Sequence, residues 1–114
     1  MELPRESLLL RIYIGESDRF EGHALHEAIV LKARELHLAG ATVIRGAMGF
    51  GKSSRLHTAK ILRLSIDLPL VIEIVDSEEK INAFLPLLEP MIGGGLVTLD
   101  RTSVIHYRSK GGPA

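Results

Sequence analysis

The chain has 114 residues, 46% of them hydrophobic and 25% charged, with 14 basic residues balancing 14 acidic ones. That length makes one domain with a buried core, and the charge balance argues against nucleic acid as a partner, because proteins that sheathe a phosphate backbone carry net or segregated positive charge. The absence of cysteine excludes a disulfide framework and a thiolate metal site and suits a reducing compartment, so a cytoplasmic location is expected.

Residues 1–6 hold an acid and a proline and read as a flexible N-terminus. The apolar run that follows is broken by Arg11, far short of the roughly 20 apolar residues of a membrane span. Neither a signal peptide nor membrane insertion is expected. Leu8, Leu10, Ile12 and Ile14 alternate with Leu9, Arg11 and Tyr13, the period of a strand with a core face and a mixed face. A polar loop runs from Gly15 to Gly22. From His23 the spacing turns helical, with Leu25, Ala28, Ile29, Lys32, Ala33 and Leu36 along one line, and Gly40 is the expected C-terminal stop. A second strand over 41–48 runs into Gly46, Gly49 and Gly51, and a basic loop, 49–58, carries Lys52, Arg55 and His57.

Two strand segments are expected next, over 60–66 and 70–75, separated by a turn at Asp67-Leu68-Pro69. Pro69 stands at the entrance of the second segment, where its missing N–H does least harm. Asp76 or Ser77 caps a second helix whose buried stripe is Ile81, Phe84, Leu85, Leu88 and Met91. Pro86 and Pro90 should kink or divide it, since an interior proline costs about 3 kcal/mol. Gly93-Gly94-Gly95 ends it, and a last strand is read in two pieces, 96–99 and 103–107, with an irregularity at 100–102. Residues 7–108 form a single domain and 109–114 a frayed tail.

The order β-α-β, loop, β-α-β is that of the ferredoxin-like, split βαβ sandwich (βαββαβ), an α+β fold with one antiparallel sheet and two helices on one face. Leu9 and Tyr13 belong to the face left open. That is more apolar surface than a small monomer usually exposes, so an oligomer is expected.

Gly46-Ala47-Met48-Gly49-Phe50-Gly51-Lys52-Ser53 fits G-x-x-x-x-G-K-[ST], the loop with which P-loop NTPases cradle phosphate. Such a loop works because a helix begins inside it, whereas Ser53-Ser54-Arg55-Leu56-His57-Thr58 opens a helix poorly and only two helices are legible. A small P-loop-type nucleotide hydrolase using 46–53 is therefore the alternative. The glycines equally permit a bulge and a reversal. A second cluster, Gly93-Gly94-Gly95, occupies the equivalent place in the other half of the fold, and two bare-backbone turns can line one anion pocket.

Arg11-Ile12-Tyr13-Ile14-Gly15-Glu16, Glu27-Ala28-Ile29-Val30, Ala39-Gly40-Ala41-Thr42-Val43, Arg45-Gly46, Gly49-Phe50-Gly51, His57, Ser65-Ile66-Asp67-Leu68-Pro69 and Glu73-Ile74-Val75-Asp76 together resemble the small PII-like proteins related to nitrogen-regulatory PII signal transducers. The resemblance spans about residues 7 to 107. It implies a homotrimer that binds an adenine nucleotide in clefts between subunits. It also implies a loop after the second strand, here 49–58, that relays occupancy to a regulated protein such as a transporter or an enzyme. Leu96-Val97-Thr98 stands where PII proteins carry basic residues after the second glycine turn, which favours ADP or AMP over ATP. The loop holds no tyrosine, so uridylylation is not expected.

The candidate nucleotide-binding residues are Gly46, Met48, Gly49, Phe50, Gly51, Lys52, His57, Gly93, Gly94 and Gly95, with Arg11, Glu16, Glu27 and Arg45 as possible cleft-lining residues. Arg11 and Glu27 are candidates for an ion pair between strand and helix. His23 and His26, three apart, have a spacing that can hold a metal, but with no third ligand they read as a surface pair. A structural or metal-responsive trimer is the further alternative. No nucleophile with a base context and no G-x-S-x-G elbow are present, and the acidic residues are scattered rather than paired at a recognisable site, so no turnover, no required cofactor and no metal centre are expected.

Overall fold

The computed structural model describes residues 3–50, 57–58 and 67–108. In chain order the elements are β1 (Glu6–Gly15), β2 (Arg19–Phe20), β3 (His23–Ala24), α1 (Leu25–Glu35), β4 (Thr42–Arg45), β5 (Met48–Gly49), β6 (His57–Thr58), β7 (Pro69–Asp76), α2 (Glu78–Leu88), a 3-10 turn (Glu89–Met91) and β8 (Leu96–Ser103). The main sheet has the order β4-β7-β1-β8, and each neighbouring pair is antiparallel. That order is the one a split βαβ repeat produces, so the expected α+β ferredoxin-like fold is the observed one. The expected strand over 60–66 lies outside the described residues.

Alternation decides which face is covered. Leu8, Leu10, Ile12 and Ile14 from β1 and Leu70, Ile72 and Ile74 from β7 are buried, and they meet Leu25, Ile29 and Ala33 of α1 and Ile81, Phe84 and Leu88 of α2. Both helices thus present an i, i+4 or i, i+3 stripe to one side of the sheet. Phe84, Ile81, Ile29, Leu10, Ile12 and Ile72 have no exposed surface. The other side keeps Leu9, Arg11 and Tyr13 half-buried or exposed.

Several expected boundaries are corrected. His23 is not helical: it pairs with Phe20 across a two-residue hairpin whose corner, Glu21 at φ 49° and Gly22 at φ 82°, is of the mirror-image kind that matches strand twist. Helix α1 therefore starts at Leu25, and His23 and His26 do not share a helix face. That helix stops before Gly40, because His37 takes the left-handed conformation at φ 60°, and its N–H bonds the carbonyl of Arg34. Strand β4 ends at Arg45, with β5 a separate short strand. Helix α2 continues through Pro86, and Pro90 falls in the 3-10 turn, where the helix changes hydrogen-bonding period. Strand β8 is continuous from Leu96 to Ser103, because every residue of that stretch faces a partner on β1, from Tyr13 opposite Leu96 to Glu6 opposite Ser103. There is no break at 100–102, and 104–107 is not strand.

Ser77 is the N-cap of α2, its Oγ accepting from the N–H of Lys80 at 3.2 Å. Asp76 has a different role. It is buried, and its carboxylate accepts from the Ser77 N–H at 2.6 Å and from the Ala39 N–H at 2.8 Å. The Lys80 ammonium donates to the His37 carbonyl and the Tyr107 hydroxyl to the Ala39 carbonyl, each at 2.8 Å. These bonds pin the connection between α1 and β4 to one end of the sheet.

Candidate functional site

The antiparallel register places four chain corners at the opposite end. There β1 runs out at Gly15, β7 begins at Pro69 opposite it, β4 ends at Arg45 opposite Leu70, and β8 begins at Leu96 opposite Tyr13. Both glycine clusters therefore sit at one end of the sheet. They flank it on opposite edge strands, three strand spacings or about 14 Å apart.

The first corner is held by Pro69. The Gly46 N–H donates to the Pro69 carbonyl at 2.7 Å, and a Cβ on Gly46 would stand 2.9 Å from Pro69 Cγ. Gly49 approaches the same ring, where a Cβ would lie 3.2 Å from Cγ. Next in space, the Glu16 N–H donates to the Leu68 carbonyl at 2.8 Å, and the Glu16 side chain pairs with the Arg45 guanidinium. The Asp67 carboxylate accepts from the Ser17 N–H at 2.8 Å and the Asp18 carboxylate from the Gly15 N–H at 2.9 Å. Acidic side chains thus tie down the β1 corner through its amides. Met48 and Phe50 stand out from this corner, Phe50 with 72% of its surface exposed. Gly49 pairs with His57 across β5 and β6, which closes the base of the 49–58 loop.

The second corner is different. Gly95 has φ 145°, and a Cβ there would lie 2.6 Å from the Tyr13 carbonyl oxygen. Gly93 and Gly94 are exposed, and a Cβ on either would meet nothing within 4 Å. Beside this corner an apolar depression of about 290 Å³ runs between α2 and β8, lined by Leu85, Leu88, Glu89, Ile92 and Val97.

The structure gathers Gly46, Met48, Gly49, Phe50, Glu16 and Arg45 at one corner and Gly93, Gly94 and Gly95 at the other. Gly51 and Lys52 lie outside the described residues. Glu27 is exposed in the first turn of α1. Arg11 does not pair with it: the two stand on opposite faces of the sheet, and the Arg11 Nε bonds Glu73 Oε2 at 3.0 Å while Nη1 bonds Asp100 Oδ2 at 3.2 Å. The hydrogen bond to Glu73 raises the Arg11 pKa above its ordinary value, against desolvation, with the charges of Glu73 and Asp100 adding to it. Its charge is permanent at any working pH. Pro69 and Asp67, which in sequence read only as a turn, are the structural partners of the first corner.

Among the described residues no group of three His, Cys, Asp or Glu could hold a metal ion, and no helix is long and apolar enough to cross a membrane. The antiparallel main sheet is also not the parallel sheet on which a P-loop is mounted.

The DUF190 family, described as Uncharacterized ACR, COG1993, matches residues 7–104. A UPF0166 protein of Aquifex aeolicus (strain VF5) is 40% identical over 98 residues, covering 86% of this chain and 92% of that protein. A UPF0166 protein of Methanocaldococcus jannaschii is 39% identical over 92 residues, covering 80% and 84%. Among solved structures, CPII, a nitrogen regulatory PII-like protein from Thiomonas intermedia K12 bound to ADP, AMP and bicarbonate, superposes with a TM-score of 0.61 at 16% identity, covering 87% of this chain and 88% of that one. At that identity the likeness is one of fold.

Proposed function

The chain belongs to the DUF190 family and has the PII-like ferredoxin fold, and from that premise we propose that it is a PII-like regulatory protein that binds an adenine nucleotide, ADP or AMP in preference to ATP, between neighbouring copies of itself. The copies form a homotrimer, as the resemblance implies, and the protein works in the cytoplasm as a signal transducer related to nitrogen regulation. It catalyses no turnover and requires no cofactor.

One observation carries this reading. Both glycine corners lie at the same end of the sheet but on its two opposite edges, so a neighbour set edge to edge brings its Gly93 and Gly94 beside the Gly46 to Gly49 corner of the next copy. Within one chain the corners are too far apart to share a phosphate group. Across a boundary they become the two walls of a cleft. The exposed Met48 and Phe50 supply apolar surface for a purine, the Glu16 and Arg45 pair supplies polar groups beside it, and the unencumbered backbone at Gly93 and Gly94 lets phosphate approach closely. Occupancy reaches a partner protein through the 49–58 loop, whose base is the pairing of β5 with β6. This relay works only if nucleotide binds the partner-competent loop state more tightly than the other. The structure of CPII with ADP and AMP supports the choice of ligand.

Isothermal titration with AMP, ADP and ATP tests the proposal. ADP or AMP is expected to bind at millimolar or tighter concentration, with heats that vanish in a monomeric variant. Lack of binding by all three nucleotides to an assembled protein removes the sensor reading.

A further inference from the structure

The Glu16 and Arg45 side chains meet across a gap that the sheet order makes wide. Arg45 is the last residue of the edge strand β4, Glu16 follows the end of β1, and β7 lies between those two strands. The pair therefore closes two strand spacings, or about 10 Å of backbone separation. Its members are not equally held. The Glu16 main chain is fixed by its N–H bond to the Leu68 carbonyl and its side chain keeps 25% of its surface, whereas the Arg45 side chain keeps 60%. The described residues of this corner, 15–18, 45–50, 57–58 and 67–69, include three carboxylates, those of Glu16, Asp18 and Asp67, but a single guanidinium and no lysine. Asp18 and Asp67 are engaged by backbone amides, and the Gly46 amide is engaged by the Pro69 carbonyl. A phosphate arriving here meets one arginine, and a carboxylate already holds it.

We propose that Glu16 stands in for a nucleotide phosphate in the free protein, and that binding transfers the Arg45 guanidinium from the Glu16 carboxylate to that phosphate. The proposal rests on the nucleotide reading above and adds to it the group that must be displaced. Carboxylate and phosphate oxygens both match the planar fork of guanidinium donors, so one side chain can serve either. An exposed ion pair is weakly held, because water screens it and two long side chains must be kept in one geometry. A terminal phosphate carries about 1.5–2 negative charges at neutral pH against the single charge of a carboxylate, so the exchange runs toward the nucleotide. The guanidinium is the part that moves, being the more exposed partner on the less constrained residue. Glu16 thereby lowers the affinity of the corner and raises the nucleotide concentration at which it fills. A nucleoside without phosphate offers Arg45 nothing in exchange, and the pair stays closed beside it.

Calorimetric titration of ADP and of adenosine into four full-length proteins tests this: the wild type, Glu16→Gln, Arg45→Gln and the double variant. Glu16→Gln is expected to bind ADP about threefold more tightly, the worth of an exposed pair, and Arg45→Gln about tenfold more weakly, the worth of a hydrogen bond to a charged group. In the Arg45→Gln background the second substitution should change nothing, and adenosine should bind all four proteins alike. If Glu16→Gln tightens ADP binding equally with and without Arg45, the carboxylate acts only through its charge; the exchange is then overturned and the nucleotide reading stands. Single variants that both bind ADP like the wild type have the same meaning. Failure of all four proteins to bind ADP overturns the exchange and the reading beneath it together. Should a variant fail to fold, the assigned side-chain Nε–H resonance of Arg45 in the wild type decides the matter: it should shift with ADP and not with adenosine, and a resonance that ADP leaves in place overturns the exchange.

Discussion

The two glycine corners look alike in sequence and are built for different reasons. At the β4 side, Gly46 and Gly49 are small because the Pro69 ring is there, and the Gly46 amide is already spent on the Pro69 carbonyl. At the β8 side only Gly95 is demanded by the fold, through its φ of 145° and its approach to the Tyr13 carbonyl, while Gly93 and Gly94 face open space. A glycine cluster therefore does not mark a phosphate site by itself. The difference lies in which glycines the fold has already used, and by that measure the free backbone is at residues 93 and 94.

The largest expected effect tests the constrained glycine. Gly95→Ala places a Cβ against a backbone oxygen in a conformation that L residues avoid, and it should lower stability by about 3 kcal/mol, a fall of about 10 °C or more in melting temperature. A variant that melts like the wild type would show that the corner relaxes freely and that the two corners do not differ in this way. Next comes Gly46→Ala, where the clash is with a proline ring rather than with main chain. A loss of about 1–2 kcal/mol is expected, and in a denaturant double-mutant cycle Pro69→Ala should restore on the order of 1 kcal/mol of it. Lack of coupling would mean that the ring does not set the need for glycine. The smallest effect on stability, within about 0.5 kcal/mol, belongs to Gly94→Ala. If the β8 corner holds phosphate, this quiet substitution should nevertheless weaken ADP or AMP binding about tenfold in calorimetry. Unchanged affinity would move the site to the Gly46 corner.

The parts of the fold that can be read from sequence are those where one local rule decides. Alternation in β1 and β7 marks both strands and their covered face, and Ser77 with Glu78 and Glu79 marks the start of α2. Sequence and structure part where a residue does a job usually given to another. Glu21 and His37 take positive φ values that composition assigns to glycine or asparagine, which hides the β2–β3 hairpin and makes α1 read too long at both ends. Strand β8 reads as two pieces because Asp100 and Arg101 look like a turn, yet in a sheet edge they point to opposite faces, and Asp100 is the partner of Arg11. Glu27 fails as that partner through a consequence of the alternation itself: a residue on the uncovered face cannot reach a helix on the covered one. At the site, the glycines and the residues of the Glu16–Arg45 pair are legible, whereas Pro69 as the wedge behind them is not, because contact across 23 positions between Gly46 and Pro69 leaves no periodic trace.

The bonds at the far pole have a practical side. The Val104 N–H donates to the Arg5 carbonyl, and the Tyr107 hydroxyl reaches Ala39, so the first and last described stretches leave the sheet together at the pole away from both glycine corners. A dye or a fused reporter attached at the outer end of either described stretch would thus emerge on the side remote from the proposed nucleotide cleft and from the ribbon proposed to meet a partner. Attachment at that pole would leave both glycine corners facing the solution.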